Sequence, residues 1–135
     1  MTAQVIKGYL EATLRRCGFS YAEEGGYLTL TAGLGGKRWK MALSCGENRL
    51  IFYAAYPWQT AYEHRERVLE HLNALNAVSG FGSYFLLDTE SGALTVFRCD
   101  VLIADEYSVI ESIEKGFKYA SAAVCARWET LKENI

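Results

Sequence analysis

The spacing of apolar positions along this chain switches repeatedly between a helical and a strand period. Val5, Ile6, Tyr9, Leu10, Leu14 and Cys17 recur at the interval that places side chains on one side of a helix. Thr2 stands where an N-cap belongs and Gly18 where a helix stops, so the first element is predicted as a helix over 3–17. Glu11 and Arg15 are spaced to pair on its polar face. Tyr27-Leu28-Thr29-Leu30-Thr31 is rich in β-formers and is flanked by Gly25-Gly26 and by the run Gly33 to Gly36. In 37–45, Trp39, Met41 and Leu43 alternate with Arg38, Lys40, Ala42 and Ser44, the pattern of a sheet with one face packed on a core. A turn at Gly46-Glu47-Asn48 leads to a third strand over 49–56, which Pro57, the one proline, is expected to end.

Helical spacing then returns. Thr60 and Glu63 have the form of a capping box, and Val68, Leu69, Leu72 and Leu75 make the inward stripe of a second helix. Asn76 is expected to tie the end of that helix to the next strand's backbone, and Gly80 and Gly82 close the segment. Strands are predicted over 84–87 and 93–103, joined by the turn Asp88-Thr89-Glu90-Ser91-Gly92. A last helix over 105–134 carries Val109, Ile110, Ile113, Phe117, Ala120, Val124, Trp128 and Leu131, with Glu111–Lys115 and Glu114–Lys118 on its wet side. The order α-βββ-α-ββ-α predicts an α+β fold, a five-stranded antiparallel sheet with helices packed on one face. No repeat, low-complexity tract or linker divides residues 1–135, so one domain is expected.

Composition narrows the function classes. A chain of 135 residues with 50% hydrophobic content can build a core without disulfides or metal. A net charge of −2 leaves no basic excess for phosphates, which argues against nucleic acid as a partner. Lys7, Glu11, Arg15 and Arg16 interrupt the N-terminal segment, which does not read as a signal peptide, and no apolar run has membrane-spanning length. A cytoplasmic protein without a membrane partner is expected. Cys17, Cys45, Cys99 and Cys125 are too scattered for a metal motif, so four free thiols are expected. Cys17 and Cys125 fall on the apolar phase of their helices and are read as buried.

No residue set reads as catalytic, and neither a metal nor a cofactor is expected. His64 and His71 lie seven residues apart within a charged stretch, about 10.5 Å of helical rise, too far to share one metal ion. Gly33-Leu34-Gly35-Gly36-Lys37 lacks P-loop spacing and lies between two strands, so it reads as a hairpin. Asp88 and Glu90 fall in a turn, and with Asp100 they give no sign of a cleft. The candidate site is aromatic instead. Tyr53, Tyr56, Trp58 and Tyr62 crowd the end of the third strand and the start of the second helix, with Trp39 on the neighbouring strand. Such rings seal a sheet edge or cover a core, and rings with polar tips also suit a dimer or peptide-binding surface.

The stretch Leu75-Asn76, Gly82 to Asp88 and Gly92 to Arg98 resembles the signature of the YbjN family. There a helix ends in Leu-Asn, a strand carries a Phe and an Asp before an acidic turn, and the next strand bears an aromatic–Arg pair. The element order also resembles the class I type III secretion chaperones that share that fold. Members of the family carry the label of sensory transduction regulators, which names no chemistry. The resemblance implies a homodimer that binds a protein or peptide segment without catalysis. The alternative is a small-molecule-sensing regulatory domain with a pocket between sheet and helices. An enclosed apolar pocket would favour sensing, and an open apolar patch or an unpaired edge strand would favour a peptide.

Overall fold

The computed structural model describes residues 1–135 and contains four helices, a 3-10 turn and six strands. The first helix, α1 (Ala3–Arg16), begins as its sequence requires, with the Thr2 hydroxyl accepting from the Val5 N–H. It ends in a Schellman motif: the Gly18 N–H donates to the Arg15 carbonyl and the Phe19 N–H to the Leu14 carbonyl. Gly18 takes φ +79°, which only glycine adopts without strain.

Three hairpins follow: β1 (Ala22–Glu24), β2 (Tyr27–Leu34), β3 (Lys37–Gly46) and β4 (Arg49–Thr60). After a 3-10 turn at Tyr62–His64 come α2 (Arg65–Val78), the hairpin β5 (Ser83–Thr89) and β6 (Gly92–Leu102), then α3 (Val109–Ala126) and α4 (Trp128–Glu133). The antiparallel sheet has the order β1-β2-β3-β4-β6-β5. The fold is therefore α+β as expected, with six strands rather than five. Ala22-Glu23-Glu24 has poor strand propensity. It is held by the tight turn at Gly25-Gly26, by the Lys7–Glu23 ion pair and by Tyr21, whose hydroxyl donates to Glu11 and accepts from Arg15 of α1.

Three further expectations are corrected. Pro57 does not end β4, because it sits in a bulge between Ala55 and Gln59 where the ladder to β6 is interrupted and no N–H is needed. Thr60 is not an N-cap: it is fully buried at the end of β4 opposite Ala93, and the 3-10 turn begins without a side-chain cap. The last helix is two helices, broken at Arg127. Asn76 acts as expected, its amide donating to the Tyr84 carbonyl at 2.8 Å and accepting from the Tyr84 N–H at 2.7 Å.

All helices pack on one face of the sheet around a single core. Phe52 and Phe97 form its floor, and Ile6, Leu10, Val68, Leu72, Ile113 and Val124 cover them from the helices. Trp128 packs against Trp39, Tyr56 and Trp58 at one end. At Gly116, α3 comes so near the sheet that a Cβ would overlap the Phe52 ring and press on Val101. No helix is long and apolar enough to cross a membrane.

Two stability outcomes follow from this packing. Trp128→Ala should cost ~3–5 kcal/mol in denaturant melts, as for loss of a buried aromatic, and a loss under ~0.5 kcal/mol would place the ring outside the core. Gly116→Ala should destabilise by about 1–3 kcal/mol, although alanine gains roughly 1 kcal/mol in helix propensity, because overlap with Phe52 outweighs it. A stabilised Gly116→Ala protein would show that α3 does not lie this close.

Candidate functional site

Side chains alternate across the strands, and the helices cover only one set. The other set, facing away from the helices, mixes polar side chains with more apolar and aromatic ones than an exposed sheet face usually carries. Register builds it row by row. Thr29, Ala42, Tyr53, Arg98 and Ser83 stand side by side across β2, β3, β4, β6 and β5. Thr31, Lys40, Ala55, Val96 and Phe85 make the next row. Small side chains at Ala42 and Ala55 leave a hollow, and larger groups rise around it.

The result is a broad open groove of about 1180 Å³. Tyr53 is its centre: its ring meets Tyr27 edge-on at 6.0 Å and Phe85 edge-on at 6.4 Å. The Arg98 guanidinium lies 5.6 Å from the Tyr53 ring centroid and forms a two-pronged pair with Asp100. That hydrogen-bonded carboxylate holds the Arg98 pKa above its ordinary value. Lys40 lines the groove without an acidic partner, and Leu87 and Val96 extend its apolar floor toward β5.

The structure does not bring the five aromatic candidates onto one surface. Trp39 and Tyr56 are buried on the helix side, and Trp58 is half-buried beside them. The three surround Trp128, with ring centroids 6.3, 5.5 and 5.0 Å from it respectively. The Tyr56 hydroxyl donates to the Val124 carbonyl at 2.9 Å, and burial raises its pKa. As a shared binding surface this group is corrected to a core seal. The reason is strand parity: Tyr53 and Tyr56 are three apart and must face opposite ways, and the bulge keeps Trp58 on the side of Tyr56. Tyr62 is 82% exposed on the 3-10 turn, outside the groove lining. Tyr53 alone of the five lines the groove. Tyr27, Phe85, Leu87 and Val96 were missed, because each reads as an ordinary strand residue until the register sets them side by side.

The remaining candidates are dispersed. Asp88 pairs with Arg65, at 2.8 Å, which lowers its pKa, while Asp100 pairs with Arg98 and Arg49 near the opposite end of β6. His64 and His71 are half-buried at the start and along α2, and no cluster of metal-ligating side chains forms. The run Gly33 to Lys37 is the β2–β3 hairpin, as expected. Cys17 is exposed rather than buried, because α1 stops one residue before it. Cys99 is buried, and Cys45 and Cys125 are half-buried.

These features define an α+β domain whose antiparallel sheet is covered on one face and bare on the other. No sequence-family profile matches the chain, and no curated protein matches it. Among solved structures its fold is similar to that of YbjN, a candidate transcription regulator from E. coli. The TM-score is 0.58, at 18% identity, over 90% of this chain and 93% of that one. At that identity the likeness is one of fold.

Thiol chemistry tests the placement of the cysteines. Burial pushes the Cys45 thiol up to about 11 and the Cys99 thiol up to about 12. Native protein treated with iodoacetamide near pH 8 should therefore be alkylated first at Cys17, with Cys45 and Cys99 protected until unfolding. All four should react once the chain is unfolded without reductant. Rapid native labelling of Cys99, or fewer than four thiols on unfolding, would contradict this arrangement.

Proposed function

We propose that the chain is a YbjN-like, non-enzymatic binding module that holds an extended apolar protein segment on the bare face of its sheet. The observation that carries this reading is the groove centred on Tyr53 and flanked by Tyr27 and Phe85. Aromatic rings with polar tips give much contact area for little lost conformational freedom, which is why they dominate peptide-binding surfaces. The fold likeness to YbjN and the short motif through Gly82 to Arg98 support the YbjN-like assignment, and a regulatory or chaperone-like role belongs to the same proposal. A small-molecule sensor fits less well. The groove is an open face of the sheet, whereas sites for such ligands enclose most of the ligand's surface.

Selection of a random peptide library on the immobilised protein, followed by titration of a selected synthetic peptide, tests this. Tyr53→Ala should weaken that peptide at least ~30-fold, the loss expected of a central anchor worth ~2 kcal/mol. Tyr62→Ala should leave it unchanged, since that ring stands outside the groove. Failure to select any peptide, or equal binding by the Tyr53→Ala protein, would overturn the reading.

A further inference from the structure

The two edges of the sheet are finished differently. Along the β5 edge α2 is tied down at both ends, by Arg65 to Asp88 and by Asn76 to the Tyr84 backbone. Covering an edge with a helix is one of the ways proteins prevent unwanted strand pairing. The opposite edge is only half covered. β1 pairs with Tyr27, Leu28 and Thr29, and then the chain leaves the sheet. Phe19 stacks on Phe117 of α3 at 5.9 Å and Tyr21 is bonded to Glu11 and Arg15, so the segment before Ala22 is drawn toward the helices. The stretch Leu30–Leu34 has β3 on one side and no strand on the other.

Hairpin geometry identifies the backbone groups left over. Glu24 and Tyr27 flank the two-residue turn Gly25-Gly26, and Leu34 and Lys37 flank Gly35-Gly36. The residues flanking a two-residue turn exchange both ladder hydrogen bonds, and this role alternates along the strand. Leu34, Ala32, Leu30 and Leu28 therefore bond to β3, while Tyr27 and Thr29 bond to β1. Thr31 and Gly33 continue the second series and point their N–H and C=O outward, where β1 no longer reaches. Neither residue's backbone takes part in a turn, cap or side-chain hydrogen bond. The parity is confirmed at the other edge, where it leaves Tyr84 facing outward, and Tyr84 is the residue that Asn76 satisfies. The exposed half of β2 also lacks the usual defences, for it contains no charged residue and no proline. It borders the groove, whose lining includes Thr29, Leu30 and Thr31.

We propose that an extended peptide adds as a strand to β2 beside Thr31 and Gly33, continuing the line of β1 and laying alternate side chains onto the bare face. This rests on the binding-module reading above and specifies its main-chain register. A peptide of another protein suits the site better than a second copy of this chain. Two β2 edges pairing antiparallel would share only the short stretch Leu30–Leu34 before one copy's Gly35-Gly36 turn ran into the other's β1. A peptide engages the edge and the groove together, which is how strand addition combines affinity with side-chain selection.

The test uses a peptide selected as above and the full chain. Thr31→Pro removes one outward N–H and no bond within the sheet, so the variant should fold with a wild-type denaturation midpoint. It should bind the peptide at least ~10-fold more weakly than Thr31→Ala, which loses the same side chain and keeps the N–H, and equal affinities for the two variants would overturn the proposal. Hydrogen exchange supplies a measurement that needs no variant. The Thr31 and Gly33 amides should exchange fast in the free protein and slow at least ~10-fold on peptide binding, while the Leu30 and Ala32 amides are slow throughout. Unchanged Thr31 and Gly33 exchange in a complex that Tyr53→Ala weakens would overturn strand addition and leave the groove reading standing. Absence of any peptide binding would overturn both. Protection of the Thr31 amide that grows with protein concentration alone would assign the edge to a second copy and overturn the proposal.

Discussion

The close seat of α3 on the sheet at Gly116 sets the geometry of everything around it. Phe52, beneath Gly116, lies on β4, a strand flanked by β3 and β6, so its ring occupies the middle of the covered face. With no side chain at Gly116 the helix backbone settles onto that ring, and the next residue, Phe117, meets Phe52 edge-on at 5.1 Å and stacks on Phe19. Two turns further on, the Val124 carbonyl comes within reach of the Tyr56 hydroxyl. The break at Arg127 then turns Trp128 into the cluster of Trp39, Tyr56 and Trp58. The Phe117–Phe19 contact also fixes where the chain leaves α1. It thereby limits how far β1 can pair with β2.

Because the helices are gathered on one face, the other face keeps apolar surface in contact with water. Burying such surface is worth roughly 25 cal/mol per Å², so leaving it bare forgoes stability that a polar set of residues would not have offered. Tyr27, Tyr53, Phe85, Val96 and Leu87 occupy this face, and Ala42 and Ala55 hollow it. Arg98 is held over Tyr53 by its two-pronged pair with Asp100, which fixes a charged group beside the rings. The site therefore combines an apolar floor, a few polar rims and an adjoining length of unsatisfied backbone, the three features an extended segment can engage together.

Much of the architecture was legible because it rests on local rules. The α1 stripe, its Thr2 cap and its Gly18 stop follow from period and turn chemistry alone. So do the hairpins at Gly35-Gly36 and at Glu90-Ser91, and the tie from Asn76 to the next strand. The errors arose where a local rule competed with a distant contact. Pro57 reads as a strand end unless the bulge opposite Thr95 is known. Thr60 reads as a cap unless its pairing with Ala93 is known. Ala22 to Glu24 reads as loop, since its strand depends on Lys7, Glu11 and Arg15 of α1.

The candidate site shows the same division. That Trp39, Met41 and Leu43 face one way and Lys40 and Ala42 the other was determined by the sequence itself, because strand side chains alternate whatever the surroundings. The expected one-sided sheet followed from that alternation. Which aromatic residues share a surface was decided only by the tertiary structure. Tyr53 and Tyr56 are neighbours in sequence and lie on opposite faces, whereas Tyr27, Tyr53 and Phe85 come from β2, β4 and β5 and meet on one. Alternation is a property of a single strand. Adjacency across a sheet depends on hairpin registers, on a bulge and on the point at which packing against α3 and α1 pulls the chain away from β2.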